Sequence, residues 1–272
     1  MIEVSGLTRK YGNHVAVNAL SFTLNDGHIY GFLGPNGAGK STTMNMMTGC
    51  LAATEGTVRI GGYDLFDEPE KAKALIGYLP EIPPLYPDRT PREYLRFVAE
   101  AKRVPKTERP SQIEEVMEKT KIADVADRLI GNLSKGYRQR VGIAQALLGK
   151  PKYIILDEPT VGLDPLQIIE IRELIKSLGE EHTVILSSHI LSEVQTVCDE
   201  VLVISDGILL ACEPLKKLKE RFRAAETGDT SLEEIFIELI KNPELFSGTS
   251  SDTEETEEDG KQMETTEGRK EE

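Results

Sequence analysis

A short apolar run, Ile29–Leu33, leads directly into Gly34-Pro35-Asn36-Gly37-Ala38-Gly39-Lys40-Ser41, and this junction limits the possible fold more than any other feature. Glycines at these spacings let the chain turn sharply, so that several backbone N–H groups converge on one point. A helix starting at the lysine adds the positive end of its dipole there. The pattern is a phosphate-binding P-loop, which needs a strand before it and a helix after it. Asn36, Gly37, Ala38 and Gly39 would form the cradle, Lys40 would reach the β- and γ-phosphates of a nucleotide, Ser41 would ligate Mg²⁺, and Thr42 would meet the α-phosphate.

The surrounding chain supplies the strands such a loop requires. Short β-branched or apolar runs recur at Ile29–Leu33, Val58–Ile60, Ile76–Leu79, Tyr153–Leu156, Val184–Leu186 and Val201–Ile204, separated by helix-like segments. This alternation predicts a largely parallel sheet covered on both faces. Asp26-Gly27 and Asp206-Gly207 each sit between two runs and favour positive-φ hairpin turns, so antiparallel pairing is expected at the sheet edges. Between about Pro91 and Gly149 the strand signals vanish, and Tyr94, Phe97, Val98 and Ala101 fall on one helical stripe. Thr90 as cap, Pro91 at the first helical position and Glu93 three residues after Thr90 mark the start of that helix.

A second carboxylate-bearing motif ends one of these strands. Tyr153-Ile154-Ile155-Leu156 is followed by Asp157-Glu158-Pro159, which places two acids at the carboxyl edge of the sheet, where open α/β sheets bind ligands. Asp157 would hold Mg²⁺ through water and Glu158 would orient an attacking water. Without the P-loop, the same residues would read as a solvated acidic turn.

Charge and composition exclude several classes. The formal net charge of the 272-residue chain is −14, and residues 249–272 carry half of it, with ten acidic against three basic residues. The remaining body near −7 disfavours nucleic-acid binding, because a phosphate backbone attracts basic faces. That last stretch has no aromatic residue and cannot bury enough apolar surface to offset its ordering entropy, so disorder is expected there. Cys50, Cys198 and Cys212 form no CxxC pair and read as buried free thiols of a reducing cytoplasm. No apolar run approaches the roughly 18 residues of a membrane span, and MIEVSGLTRKYG has no apolar signal core.

Taken in order, GPNGAGKST, LSKGYRQRVGIAQALL at 133–148, IILDEPTVGLDP and SSHIL resemble the ABC ATPases over about residues 2 to 215. The resemblance implies an α/β fold: a P-loop NTPase with a RecA-like mixed-sheet core, an antiparallel β edge and an inserted α-helical signature sub-domain. The expected division is an ATP-binding core at 1–90 and 150–215, the helical signature sub-domain at 91–149, a C-terminal helical extension at 216–248 and the acidic tail at 249–272. By the same resemblance Ser134 and Gly136 contact the γ-phosphate held by an opposite subunit, and His189 reaches the γ-phosphate and the attacking water. Asp164 lies in the loop that crosses the dimer interface, with helix capping before Pro165 as its plainer reading. Tyr11 matches the aromatic that stacks on adenine, or is an exposed packing tyrosine. Glu81 stands where the family has a glutamine that ligates Mg²⁺. The proline-stiffened stretch Ile82–Thr90 corresponds to the region that receives a membrane subunit.

The YLPE variant, the LSKGYRQR signature and Ser231-Leu232-Glu233-Glu234-Ile235-Phe236 look most like the ABC-2 type exporter group, including the gliding-motility-like and sodium-efflux-like ATPases. The implied protein uses ATP and Mg²⁺ as an ATPase. It pairs with a second nucleotide-binding subunit, as a homodimer, and with separate transmembrane permease subunits at the cytoplasmic face of the cell membrane. A soluble ABC ATPase acting on ribosomes or DNA would show tandem cassettes or a coiled-coil insertion, a non-hydrolysing clamp would lack Glu158 or His189, and a GTPase would carry Asn-Lys-x-Asp. Lys135 departs from the usual glycine of the signature, and Tyr137 from its usual glutamine. Lys135 either adds positive potential at a helix N-terminus facing phosphate or points into solvent. On the first reading, Lys135→Gly lowers steady-state phosphate release; unchanged turnover removes it.

Overall fold

The computed structural model describes residues 1–225 and 232–242. The segment 249–272, expected to be disordered, and Ser231 lie outside the described residues. Two long strands open the chain, β1 (Ile2–Tyr11) and β2 (His14–Leu24), joined by a hairpin in which Tyr11 faces His14 and Gly12 takes φ 59°. Strand β3 (Ile29–Leu33) leads through the glycine-rich loop into α1 (Lys40–Met47), followed by β4 (Glu55–Ile60), β5 (Tyr63–Asp64), α2 (Pro69–Ala74) and β6 (Ile76–Leu79). Three helices come next, α3 (Pro91–Ala101), α4 (Arg109–Lys119) and α5 (Lys135–Leu147), with no strand between 80 and 152 among the described residues. The chain then alternates through β7 (Tyr153–Leu156), α6 (Pro165–Gly179), β8 (Thr183–Ser188), α7 (Leu191–Val197) and β9 (Glu200–Ser205). It closes with β10 (Ile208–Pro214), α8 (Leu215–Ala225) and α9 (Leu232–Lys241).

The strands form two sheets. One is four-stranded and antiparallel in the order β2-β1-β4-β5; the other is six-stranded, β10-β9-β3-β8-β7-β6, with every pair parallel except β10 against β9. The Val58–Ile60 run therefore belongs to the antiparallel sheet, not to the parallel one. Of the two Asp-Gly pairs, Asp206-Gly207 makes the expected hairpin, with φ of 49° and 76°. Asp26-Gly27 instead carries the chain from one sheet to the other. Asp26 is anchored there by the Tyr153 hydroxyl at 2.9 Å and by Lys152 at 2.7 Å.

Side chains alternate across the six-stranded sheet and fill two cores. Tyr30, Phe32, Ile155, Ile185, Leu202 and Ile204 pack toward the antiparallel sheet and α1, while Ile154, Leu156, Val184, Leu186, Val201 and Val203 pack toward the helices of the other face. Burial on both faces explains why these strands read as continuous apolar runs.

Helix α3 begins as its sequence requires: the Glu93 amide donates to Thr90 Oγ1 at 3.2 Å, and the Thr90 amide donates to Glu93 Oε2 at 3.0 Å. Its buried stripe is shifted from the expected one, running through Tyr94, Leu95, Val98 and Ala99, with Ala101 exposed. Phe97 is 51% exposed and its ring lies 5.5 Å from that of Tyr86. Two cysteine readings also change: Cys198 is buried, whereas Cys50 and Cys212 are exposed.

Helix α5 is held against the sheet by close approach. A Cβ on Gly77 of β6 would lie 2.2 Å from the Ala146 carbonyl oxygen, so only glycine lets strand and helix meet there. At the same end of α5, Lys102 Nζ donates to the carbonyls of Ala146 and Leu148 at 3.0 and 2.9 Å. Gly77→Ala is expected to push the helix off the strand and to destabilise the fold by about 1–3 kcal/mol, measurable as a lower midpoint of urea unfolding.

Candidate active site

The glycine-rich loop leaves β3 at the carboxyl edge of the parallel sheet. Gly37 and Gly39 take φ of 83° and 101°, values open to glycine at little cost, and they turn the chain so that α1 starts at Lys40. Asn36 and Gly37 are exposed at the mouth of the loop, Ala38 is buried beneath it, and Thr42 is half-buried in the first turn of α1. The Ala38 carbonyl accepts from the Gly207 amide at 3.0 Å, which ties the loop to the β9–β10 hairpin.

Lys40 is only 6% exposed. Its ammonium donates to the carbonyls of Gly34 and Pro35 at 2.8 and 3.2 Å and stands 3.8 Å from Glu158 Oε1. Burial pushes its pKa below the ordinary lysine range, opposed by the carboxylates of Glu158, Asp157 and Glu81. Glu81 is exposed just past β6, near enough for its charge to act on Lys40.

Asp157 and Glu158 follow β7 and are both buried, at 2% and 7% exposure. Asp157 Oδ1 accepts from Ser187 Oγ at 2.6 Å and from Ser41 Oγ at 3.2 Å. The Glu158 carboxylate is shared: one oxygen faces Lys40 and the other lies 2.9 Å from His189 Nδ1. Glu158 has φ 48°, left-handed for a residue with a Cβ, and its amide is held by Ser187 Oγ at 2.8 Å. Sterically costly backbone of this kind persists only where neighbours over-determine it.

Ser187 was not among the residues singled out in the sequence. The clue was two serines ending an apolar strand immediately before a histidine, but their partners arise only when β8 lies beside β7.

The donor set suits Mg²⁺. Ser41 and Asp157 offer hard oxygens side by side, and Mg²⁺ is commonly held by one or two protein oxygens together with substrate phosphates. Among the described residues no group of three or more His, Cys, Asp or Glu could hold a metal alone, so the phosphates would have to complete the shell.

The signature residues lie apart from this cluster. Ser134 caps α5, accepting from the Tyr137 amide at 3.3 Å, and Asp164 caps α6, accepting from the Gln167 amide at 3.0 Å. The two caps are neighbours: a Cβ on Gly136 would lie 2.3 Å from Gln167 Oε1, and one on Gly162 would lie 2.2 Å from Lys135 Nζ. Lys135 is exposed, with its ammonium over the loop that carries Asp164. Tyr137, at the fifth position, donates to Asp124 Oδ2 at 2.7 Å. Tyr11 is 47% exposed at the tip of the β1–β2 hairpin, with the Arg9 guanidinium 4.6 Å from its ring centroid. Among the described residues no hydrogen bond or ion pair joins Tyr11, Ser134, Gly136 or Asp164 to Lys40, Asp157, Glu158 or His189.

A loop of this kind with carboxylates gathered beside its lysine handles nucleoside triphosphates, and the fold is that of the P-loop NTPases. Comparison with known proteins narrows the class. The profile of the ABC transporter family matches residues 17–161. The chain is 41% identical to the bacitracin transport ATP-binding protein BcrA of Bacillus licheniformis, over 82% of this chain and 72% of that protein. It is 38% identical to the linearmycin resistance ATP-binding protein LnrL of Bacillus subtilis (strain 168), over 78% of this chain and 68% of that protein.

Among solved structures, an ATP-binding subunit of an ABC transporter superposes with a TM-score of 0.78 at 30% identity, covering 88% of this chain and 99% of that one. A dimeric, post-hydrolysis ATP-binding cassette, MJ0796 bound to ADP and Pi, superposes at 0.72 and 27% identity, covering 79% and 99%. The chain belongs to the ABC transporter family as an ATP-binding, ATP-hydrolysing subunit of the exporter-associated group. A cassette acting without a membrane partner is not favoured by these relatives. Among the described residues no helix is long and apolar enough to cross a membrane, and as a transporter's ATP-binding subunit the chain works with a partner and a permease.

Ser187→Ala would leave the buried Glu158 amide unpaired and remove a donor from Asp157. The expected result is about 1–3 kcal/mol of lost stability in denaturant unfolding, together with reduced phosphate release.

Proposed function

We propose that two copies of this chain close over two ATP molecules, each active site being completed by the signature of the opposite copy. The observation that carries this reading is the Glu158 carboxylate, held between Lys40 at 3.8 Å and His189 at 2.9 Å at the sheet edge beside the P-loop. Asn36, Gly37, Ala38 and Gly39 wrap the phosphates with backbone N–H groups, Lys40 swings from the loop carbonyls to the β- and γ-phosphates, and Thr42 meets the α-phosphate. Glu158 accepts a hydrogen bond from the attacking water and His189 steadies both that carboxylate and the γ-phosphate. Ser41, Asp157 and Glu81 would hold Mg²⁺, which would supply positive charge to offset that developing on the phosphate oxygens.

The separation of Ser134, Gly136 and Asp164 from this cluster supports the dimer. Their helix N-terminus becomes useful only to a γ-phosphate brought by another copy, where its dipole stabilises charge in transfer. Asp164 crosses the interface between the copies, and Tyr11 offers the uncovered face of its ring to adenine.

The permease docks on the proline-stiffened stretch before α3, where Ile82 is 82% exposed, Tyr86 is 45% exposed and Phe97 stands beside Tyr86. An apolar cluster of this kind on a polar surface fits a partner helix. The cassette thus sits at the cytoplasmic face of the cell membrane, ATP-driven closure works the permease, and hydrolysis resets it. Two relatives are named for bacitracin transport and linearmycin resistance, which makes export of antibiotic-like molecules the cargo class to assay first.

Glu158→Gln keeps the size of the side chain and loses the base. It is expected to cut turnover by about 10²–10⁴-fold while an ATP-bound dimer accumulates, read by phosphate release and sedimentation. A variant that stays monomeric with ATP, or that hydrolyses at the wild-type rate, overturns the reading.

A further inference from the structure

A third buried carboxylate lies beneath the site and touches none of the proposed nucleotide contacts. Glu193, near the start of α7, is 2% exposed. Its Oε2 accepts from Thr160 Oγ1 at 2.7 Å and from Ser188 Oγ at 3.0 Å, and its Oε1 faces Arg172 Nη2 at 3.3 Å. The three partners belong to three different segments. Thr160 is two residues after Glu158, Ser188 immediately precedes His189, and Arg172 lies on α6, the helix capped by Asp164.

A buried charge is a poor way to gain stability, because its desolvation offsets the attraction of its partners and apolar packing serves as well. What such a group does supply is geometry, since each of its hydrogen bonds fixes one segment at one distance. Glu158 needs that support. Its left-handed backbone is pinned on the amide side by Ser187, and downstream the chain is pinned by Thr160 on Glu193.

We infer that Glu193 is a positioning residue for hydrolysis: its buried carboxylate sets Glu158 against His189 and links that pair to α6. The inference rests on the reading of Glu158 and His189 as the hydrolytic pair.

The test is steady-state phosphate release by the full chain over a range of ATP concentrations. The variants are Glu193→Gln, Thr160→Val, His189→Ala, Glu158→Gln and the double variant Glu193→Gln/His189→Ala, each checked by thermal melting. Glu193→Gln is expected to lower kcat at least about ten-fold, as small misplacements of reacting groups do. The KM for ATP should stay within about two-fold, because no nucleotide contact is lost. The double variant should match His189→Ala within about two-fold, since both changes act on one pair. A residue that merely packs would lower the melting temperature, and its effect on kcat would multiply with that of His189→Ala.

Wild-type kcat in Glu193→Gln, or multiplicative losses, overturns the inference. Should Glu193→Gln fail to fold, Thr160→Val carries the test, and wild-type kcat there overturns it equally. If Glu158→Gln and His189→Ala themselves hydrolyse normally, the site reading falls and this inference with it. If they lose turnover while Glu193→Gln and Thr160→Val keep it, only this inference falls.

Discussion

Parallel pairing of β3, β8 and β7 in one register underlies everything else in the molecule. Leu33 lies opposite Ser188 and Leu186 opposite Leu156, so three strands end together at one edge. From their ends spring the P-loop, the bend at His189 and the Asp157–Glu158 turn. Because side chains alternate, a slip of one residue would send each apolar residue to the wrong core and turn the terminal polar groups away from one another. The packing that fills the two cores therefore also fixes the distances between Lys40, Asp157, Glu158 and His189.

Hydrogen bonds convert that proximity into a defined arrangement. Ser187 serves two masters, donating to Asp157 and accepting from the Glu158 amide. One layer down, Glu193 accepts from both Thr160 and Ser188 and pairs with the Arg172 guanidinium. In a low-dielectric interior such bonds are stronger than in water, and the one from the Glu158 amide to Ser187 helps hold Glu158 in a conformation its own backbone disfavours. The signature residues Ser134 and Gly136 are built on the helices between β6 and β7. They pack on the start of α6 and not on the P-loop, as the proposed sharing of sites between two copies requires.

Much of this was readable along the chain. β3, β6 and β7 occupy the very stretches their apolar runs marked, the capping box of α3 closes as its spacing requires, and the glycine-rich loop sits between a strand and a helix. What escaped has identifiable causes. β1 and β2 are long, but register shifts between Val4 and Leu7 and between Leu7 and Arg9 break the period of two that would have revealed them. The Asp26-Gly27 turn was read as a hairpin because turn chemistry reports a local backbone shape and not which sheet each flanking strand joins. Phe97 satisfied a helical stripe, yet the neighbouring elements cover the face one residue further round, leaving it with Tyr86 at the surface.

Local chemistry was enough to specify phosphate binding, since a glycine-rich loop and the helix dipole act within a few residues of one another, and the order of the motifs was enough to specify the family. Strand type was set by runs of four to six residues that must be buried on both sides. Tertiary structure alone decided which polar groups meet. Ser187 and Asp157 are 30 residues apart, as are Arg140 and the Glu170 with which it pairs, and Thr160 and Glu193 are 33 apart. None of those spacings is periodic in a helix or strand. A hydrogen bond depends on ångström distances between side chains, and those distances exist only after the sheet has chosen its neighbours and its register.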